Sequence, residues 1–356
     1  MKDILDDLIA LLDNRCCVAL ARVVEVSGAV PREPGAAMIV TADGAIIGSL
    51  SGGCVEAAII ETAREVMETG MCVSERFGVD DGFAPGLTCG GEIETVTESV
   101  DAERLPLLHE LRHGLEVGEA LALVSTLSGA PDWALARPGE PSPWPSIDGD
   151  IASLVRAGRS AMAGADRCEP DQSALPRVFV QAFAAPPRMI LAGANAFVRA
   201  LSRTGSQLGY RVTVVDAREV FATPAQFPHA QEVVVDWPHR YLCAEAAAGR
   251  VDGRTVVCVL THDPKFDVPM LAAALRAPVA FVGALGSRRT HTDRVARLRE
   301  EGMTDDQLRR LRSPLGLDLN ARTPEETAIS IAAQIIAETA GGSGRALNDL
   351  DGPIHR

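Results

Sequence analysis

The chain has 356 residues, with 34 Lys and Arg against 48 Asp and Glu, a formal charge of −14, and 47% apolar and 23% charged residues. That length allows about two domains, each with its own core. The acidic balance argues against a general grip on nucleic acid or on an anionic membrane, both of which need a positive surface. The eight cysteines are scattered, without the C-x-x-C pairing of structural zinc. No signal-peptide pattern is present, and no apolar run reaches the roughly 18 residues of a spanning helix. The expectation is a cytoplasmic protein with reduced thiols.

Ile4, Leu5, Leu8, Ile9, Leu11 and Leu12 recur at three and four and predict a helix. Strands are expected at 18–26, 37–41 and 45–48, with Asp43-Gly44 as the hairpin turn between the last two. A helix over 55–69, a strand at 93–96, a helix over 105–115 and a strand at 120–127 follow. Pro138, Pro141, Pro143 and Pro145 make 129–150 a loop or weakly ordered connection, and 129–177 reads as partly loop. Residues 178–183 return as a strand to the first domain, and Pro186-Pro187 mark its end.

Beyond Pro187, short apolar strands alternate with helical stretches. Strands are expected at 189–192, 211–215, 232–235, 255–260 and 278–283. A helical stretch runs from the first of these to Leu208, and others cover 269–275, 288–301, 305–312 and 324–338. Nearly continuous apolar strands suit a parallel sheet covered on both faces. The fold class is α/β: a C-terminal, Rossmann-like doubly wound parallel sheet over 186–342, an N-terminal α+β domain over 1–185, and a tail over 343–356.

Ligands bind such a sheet beyond the carboxyl ends of its strands. Gly193-Ala194-Asn195 follows the first strand, but Asn195 and Val198 stand where G-x-G-x-x-G has its second and third glycines, so this is a weak dinucleotide signal beside a plain strand-to-helix turn. Asp216 ends the second strand, 23 residues after Gly193, the spacing of a ribose-binding carboxylate; it serves equally as a helix cap or a partner for Arg218. His262, between Thr261 and Asp263, could act as base, anion contact or metal ligand. Gly286, Ser287 and Arg288, with Arg289, put a capped helix start and forked cations where an anion would rest. In the first domain Gly52-Gly53 deliver Cys54 to a helix start, where the dipole favours a thiolate able to ligate a soft metal or relay sulfur. Cys89 is a second glycine-flanked thiol, and Arg32 lies in an expected turn whose side chain could reach the same cleft.

Taken together, Ser27–Met38, Gly48–Glu56 and Cys89-Gly90-Gly91 resemble the N-terminal XdhC/CoxI domain. Leu260–Lys265, Gly283–Thr290, Pro314–Asp318, Thr323–Glu326 and Ile329–Ala333 resemble its C-terminal Rossmann-like partner. This chain departs from the pattern at Asn195, at Asn320, where glycine is frequent, and at Gln334, where glutamate is usual. The resemblance implies an accessory chaperone for a molybdenum hydroxylase of the xanthine dehydrogenase or carbon monoxide dehydrogenase type. Such a protein binds the molybdenum cofactor (molybdopterin) as cargo, assists its sulfuration and hands it to the apo-enzyme, as a maturation factor rather than a turnover enzyme. A cysteine desulfurase or a cofactor-biosynthesis protein is the implied further partner, and a homodimer the implied assembly. On that resemblance Gly286, Ser287 and Arg288 hold the cofactor phosphate, while Gly193, Asp216 and His262 meet its polar edges. Cys54, presented by Gly52 and Gly53 and joined by Cys89, meets the molybdenum. The alternatives are an NAD(P)-dependent oxidoreductase, resting on the parallel sheet, Gly193 and Asp216, and a ligand-free scaffold for one chain of a hydroxylase.

Overall fold

A computed structural model describes residues 1–53, 55–78, 90–127, 131–164 and 177–351. The chain forms two compact units, Met1–Ala185 and Pro186–Leu350.

In the first unit the helices are α1 (Leu5–Asp13), α2 (Glu56–Thr69), α3 (Leu105–Glu116) and α4 (Asp148–Ala157). Its strands are β1 (Val18–Ser27), β2 (Ala37–Thr41), β3 (Ile46–Gly48), β4 (Val73–Phe77), β5 (Glu92–Val100), β6 (Leu121–Thr126), β7 (Trp133–Ala136), β8 (Ala161–Ala163) and β9 (Val178–Phe183). They build two antiparallel sheets, ordered β3-β2-β1-β5-β4 and β7-β6-β9-β8. β1 is buried from Val18 to Val24 because both its faces are covered. Ala19, Ala21 and Val23 meet Ile59 and Ala63 of α2, while Val18 and Leu20 pack with α1, α3 and Leu121, Leu123 and Trp133 of the second sheet. Arg22 is the exception on that strand. Fully buried, it pairs with the Glu98 carboxylate and donates to the Ser125 hydroxyl at 2.8 Å.

The expected hairpin forms, with Gly44 at φ +85° and its N–H on Thr41 O. One expectation needs correction. The proline-rich 129–150 is not all loop: it holds β7 and the start of α4, because Pro145 opens a short 3-10 turn ahead of α4, a position where a missing N–H costs nothing. β9 returns to the first unit as expected, pairing with β6 and β8 in its second sheet. β4 escaped the sequence because it is an edge strand with Ser74, Glu75 and Arg76 alternating between cover and solvent.

The second unit runs β10 (Arg188–Ala192), α5 (Ala196–Gln207), β11 (Arg211–Val215), β12 (Glu232–Val234), α6 (Pro238–Ala247), β13 (Val256–Val259), α7 (Pro264–Arg276), β14 (Phe281–Ala284), α8 (Arg288–Glu300), α9 (Asp305–Arg309), β15 (Leu311–Arg312) and α10 (Pro324–Thr339). The sheet order is β12-β11-β10-β13-β14-β15, and every pairing is parallel. Short strands, β12 and β15, form its edges. Ile190, Val215, Val257 and Val259 face α6, α7 and α8 through Leu242, Leu271 and Leu298. Leu191, Val212, Val214 and Cys258 face α5 and α10 through Leu201, Ile331 and Ile335. This two-sided burial is why the strands read as apolar runs. α7 starts at Pro264 rather than Pro269, with the Asp263 side chain as its cap, and α6, opened by Pro238, was not expected. Among the described residues no helix is long and apolar enough to cross a membrane.

Candidate functional site

The order of the second sheet reverses between β10 and β13, and the segments beyond these strands carry the predicted residues. Gly193 has φ +118° and gives its N–H to Val215 O at 2.9 Å; a Cβ there would lie 2.9 Å from Thr261 Cγ2, so both conformation and space demand glycine. Asn195 caps α5 by accepting the Val198 N–H at 3.1 Å, and its Nδ2 donates to Leu260 O at 2.8 Å. Its side chain thus takes an N–H that a dinucleotide-binding turn would offer to pyrophosphate, and buried Val198 fills the third glycine position.

Asp216 is buried, and both oxygens of its carboxylate accept from Arg218. Oδ1 accepts the Arg218 N–H at 2.9 Å and Nε at 2.8 Å, while Oδ2 accepts Nη2 at 2.7 Å. Of the alternatives open in the sequence, the Arg218 partnership is the one the structure shows. His262 is exposed. Among the described residues no group of His, Cys, Asp and Glu could hold a metal ion.

Ser287 caps α8: its hydroxyl accepts the Thr290 N–H at 3.1 Å, with Gly286 partly buried just before it. Arg288 and Arg289 are exposed, and neither forms an ion pair with a described residue. The helix start therefore keeps N–H groups and two guanidinium forks available to an anion.

A buried network beneath these segments was missed in the sequence. Thr261 donates to the Asp267 carboxylate, whose Oδ2 accepts Arg294 Nη2 at 2.6 Å. Arg294 also donates to Leu285 O at 3.2 Å and to the Ser313 hydroxyl at 3.1 Å. One guanidinium on α8 thereby ties together the segments that follow β13, β14 and β15. The signal was present: Asp267 interrupts the apolar surface of α7 between Phe266 and Val268, and Arg294 is the α8 arginine in line with buried Leu298.

In the first unit, Cys54 and Cys89 lie outside the described residues. Around position 54, Gly52 at φ +82° and Gly53 at φ +124° turn the chain through conformations that favour glycine. The loop closes on Glu56, a residue whose role the motif alone does not disclose. Glu56 Oε1 accepts N–H groups of Leu50, Ser51 and Gly52 and the Ser49 hydroxyl; Oε2 accepts those of Gly53 and Val55 and the Ser51 hydroxyl. Partial burial alone would raise this carboxyl, but the bonds from Ser51 and Ser49 outweigh it and hold it well below the ordinary carboxylate range. A resident negative charge thus already meets the positive end of α2, which begins at Glu56. Arg32 pairs instead with Asp3 at 3.3 Å. The Ser-Gly-Gly-Cys-Val-Glu run signals this arrangement once its glutamate is read as the anion for its own loop.

A doubly wound parallel domain preceded by an α+β unit with a glycine-rich cysteine loop is the class that these features define. The family model described as the XdhC Rossmann domain matches residues 189–335, and that of the XdhC and CoxI family matches residues 11–78. The chain belongs to the XdhC and CoxI family. It is 26% identical over 331 residues to a Bacillus subtilis protein named as a probable xanthine dehydrogenase subunit, covering 92% of this chain and 94% of that one. Over 330 residues it is 29% identical to the Escherichia coli molybdenum cofactor insertion chaperone PaoD, covering 92% of this chain and 84% of that protein. A crystal structure of a Bacillus halodurans protein described as a xanthine dehydrogenase superposes with a TM-score of 0.66 at 26% identity, covering 98% of each chain. Three family-pattern positions have structural explanations. Asn320 has φ +54°, a conformation asparagine tolerates better than most residues, and Thr323 and Glu326 form a reciprocal capping box on α10.

Proposed function

We propose that this protein is a molybdenum-cofactor accessory protein that receives the cofactor as cargo and delivers it to an apo molybdenum hydroxylase of the xanthine dehydrogenase or carbon monoxide dehydrogenase type. The observation that carries the reading is the similarity to PaoD, named as a cofactor insertion chaperone, which extends over 92% of this chain rather than over a Rossmann-like portion alone. The strand-end chemistry supports it. The capped start of α8 with Arg288 and Arg289 offers N–H groups and forked cations for the cofactor's phosphate. Gly193 and Gly286 shape the adjoining turns, and His262 remains open for a polar edge of the cargo. Cys54, joined by Cys89, is assigned the soft-ligand or sulfur-relay role at the molybdenum, with a cysteine desulfurase or cofactor-biosynthesis protein as sulfur source and a homodimer as the working assembly.

The test is mass spectrometry of the small molecule released by denaturing protein purified from a host that makes molybdopterin, paired with activation of an apo-hydroxylase. The wild type should release a molybdopterin. Arg288→Ala should retain about ten-fold less, the loss of one charge-assisted phosphate contact. Cys54→Ala should retain pterin but lose target activation. Absence of pterin from the wild type, with apo-hydroxylase left inactive, sinks the reading.

A further inference from the structure

α10 carries two apolar rows. The inner row, Ala328, Ile331, Ala332 and Ile335, is buried, and Ile331 and Ile335 pack with Leu201 of α5 and the strands of the parallel sheet. Ile329 and Ile336 stand on the other side, two turns apart, and are 56% and 48% exposed. Ala333 and Ala340 continue their row, the first half-buried and the second exposed. In water an isoleucine serves a helix less well than alanine, lysine or glutamate, because its branched side chain loses rotamer freedom against the preceding turn. Two of them on one exposed line are the residue choice of a covered face, not of a solvated one.

The helix beside it supplies charge. α5 packs along α10, and its outward positions recur as Ala196, Arg199, Arg203 and Gln207, all exposed. Arg199 and Arg203 are one turn apart, so their like charges oppose each other along the helix. Neither has an ion-pair partner among the described residues. Glu325, one turn before Ile329 on α10, is an exposed carboxylate likewise without an ion-pair partner among them. The two helices thus present an apolar line with unanswered cations on one flank and an unanswered anion at its head.

We infer that this face is where a second copy of the chain docks, α10 against α10 about a two-fold axis, with Glu325 of each copy meeting Arg199 and Arg203 of the other. A two-fold contact is self-complementary and makes each pairing twice, and a face that bears its own counter-charges meets that condition. The chain as a whole stands at −14, so two copies repel over most of their surface. On this face Arg199 and Arg203 offset Glu325 and Glu326, which lifts that repulsion locally. α10 is 16 residues long, about 24 Å, and two helices side by side span about 20 Å. The outline is roughly 500 Å² a side, near the lower limit for a specific interface, so micromolar association is expected. The inference rests on the carrier reading only in taking the working assembly to be a homodimer; the face itself follows from these residues.

Sedimentation velocity of the purified full chain from about 1 to 100 µM should show a reversible monomer–dimer equilibrium. Ile329→Glu combined with Ile336→Glu sets carboxylates against each other and should weaken association about 100-fold or more, with the circular dichroism spectrum unchanged. Charge reversal then gives a gain of association that no folding defect can imitate. The Arg199→Glu, Arg203→Glu variant and the Glu325→Arg variant should each self-associate about ten-fold more weakly than the wild type. Their equimolar mixture should recover wild-type affinity, because both crossed contacts again pair opposite signs. A wild type that stays monomeric throughout, association unchanged in the double isoleucine variant, or a mixture no tighter than its components overturns the inference. A dimer that survives the isoleucine changes, in a protein that still releases a pterin, sinks this face and leaves the carrier reading standing. Recovery in the mixture without any pterin does the reverse.

Discussion

Replacing Arg294 by methionine keeps the length and apolar stem of the side chain but removes the guanidinium from the network that joins Thr261, Asp267, Leu285 and Ser313. Arg294 and Asp267 are each 3% exposed, so solvent cannot take over the lost contacts. Removing one partner of a buried ion pair leaves an uncompensated charge and costs about 3–5 kcal/mol. For a unit of this size, each kcal/mol lowers the melting temperature by roughly 2–4 °C, so a fall of roughly 6–20 °C is expected. The double variant Asp267→Leu with Arg294→Met removes both charges. It should recover most of that loss, leaving about 1–2 kcal/mol for the hydrogen bonds from Thr261 and to Ser313. Scanning calorimetry gives the melting temperatures, and amide exchange resolved to α7 and α8 shows which unit has loosened. A single variant that melts within about 2 °C of the wild type would refute the argument, as would a double variant no more stable than Arg294→Met.

Glu56→Gln should destabilise the Ser49–Val55 loop by about 1–3 kcal/mol, since an amide offers one acceptor where the carboxylate uses two. Because the folded Glu56 carboxyl is held below its unfolded value, its contribution is complete above about pH 4.3 and falls away as acid protonates it, so wild type and Glu56→Gln should converge in stability on acidification. Calorimetry across pH checks this; a gap that widens toward acid contradicts the sign. Asn195→Gly should cost about 1–2 kcal/mol through the lost cap and the freed Leu260 carbonyl, yet give no saturable thermal stabilisation by NAD(H) or NADP(H), because Asp216 stays covered and Val198 stays in place. Strong stabilisation of that variant would show that Asn195 alone closes a dinucleotide site.

The alternation of the second unit was legible because its strands are buried on both faces and advertise themselves as short apolar runs, and because Ser287 and the turn glycines mark where strand gives way to helix. Gly193 and Gly286 were found for the same local reason. What stayed hidden depends on rotamers or on distance along the chain. Nothing local decides whether Asp216 faces a ligand or folds onto Arg218 two residues away. Asp267 and Arg294 meet across 27 positions. β7 and α4 were obscured by prolines that stand in turns rather than within the elements. Glu56 was visible as a letter in a motif but not as the internal counter-ion of its own loop.

The stubby margins of the parallel sheet carry a consequence for solubility. β12 spans three residues and β15 two, so each rim presents only a brief row of main-chain donors and acceptors to a passing strand. A neighbouring polypeptide would find too short a template to zip along. Such brevity withholds adhesion from the flanks, where it would lead to fibres.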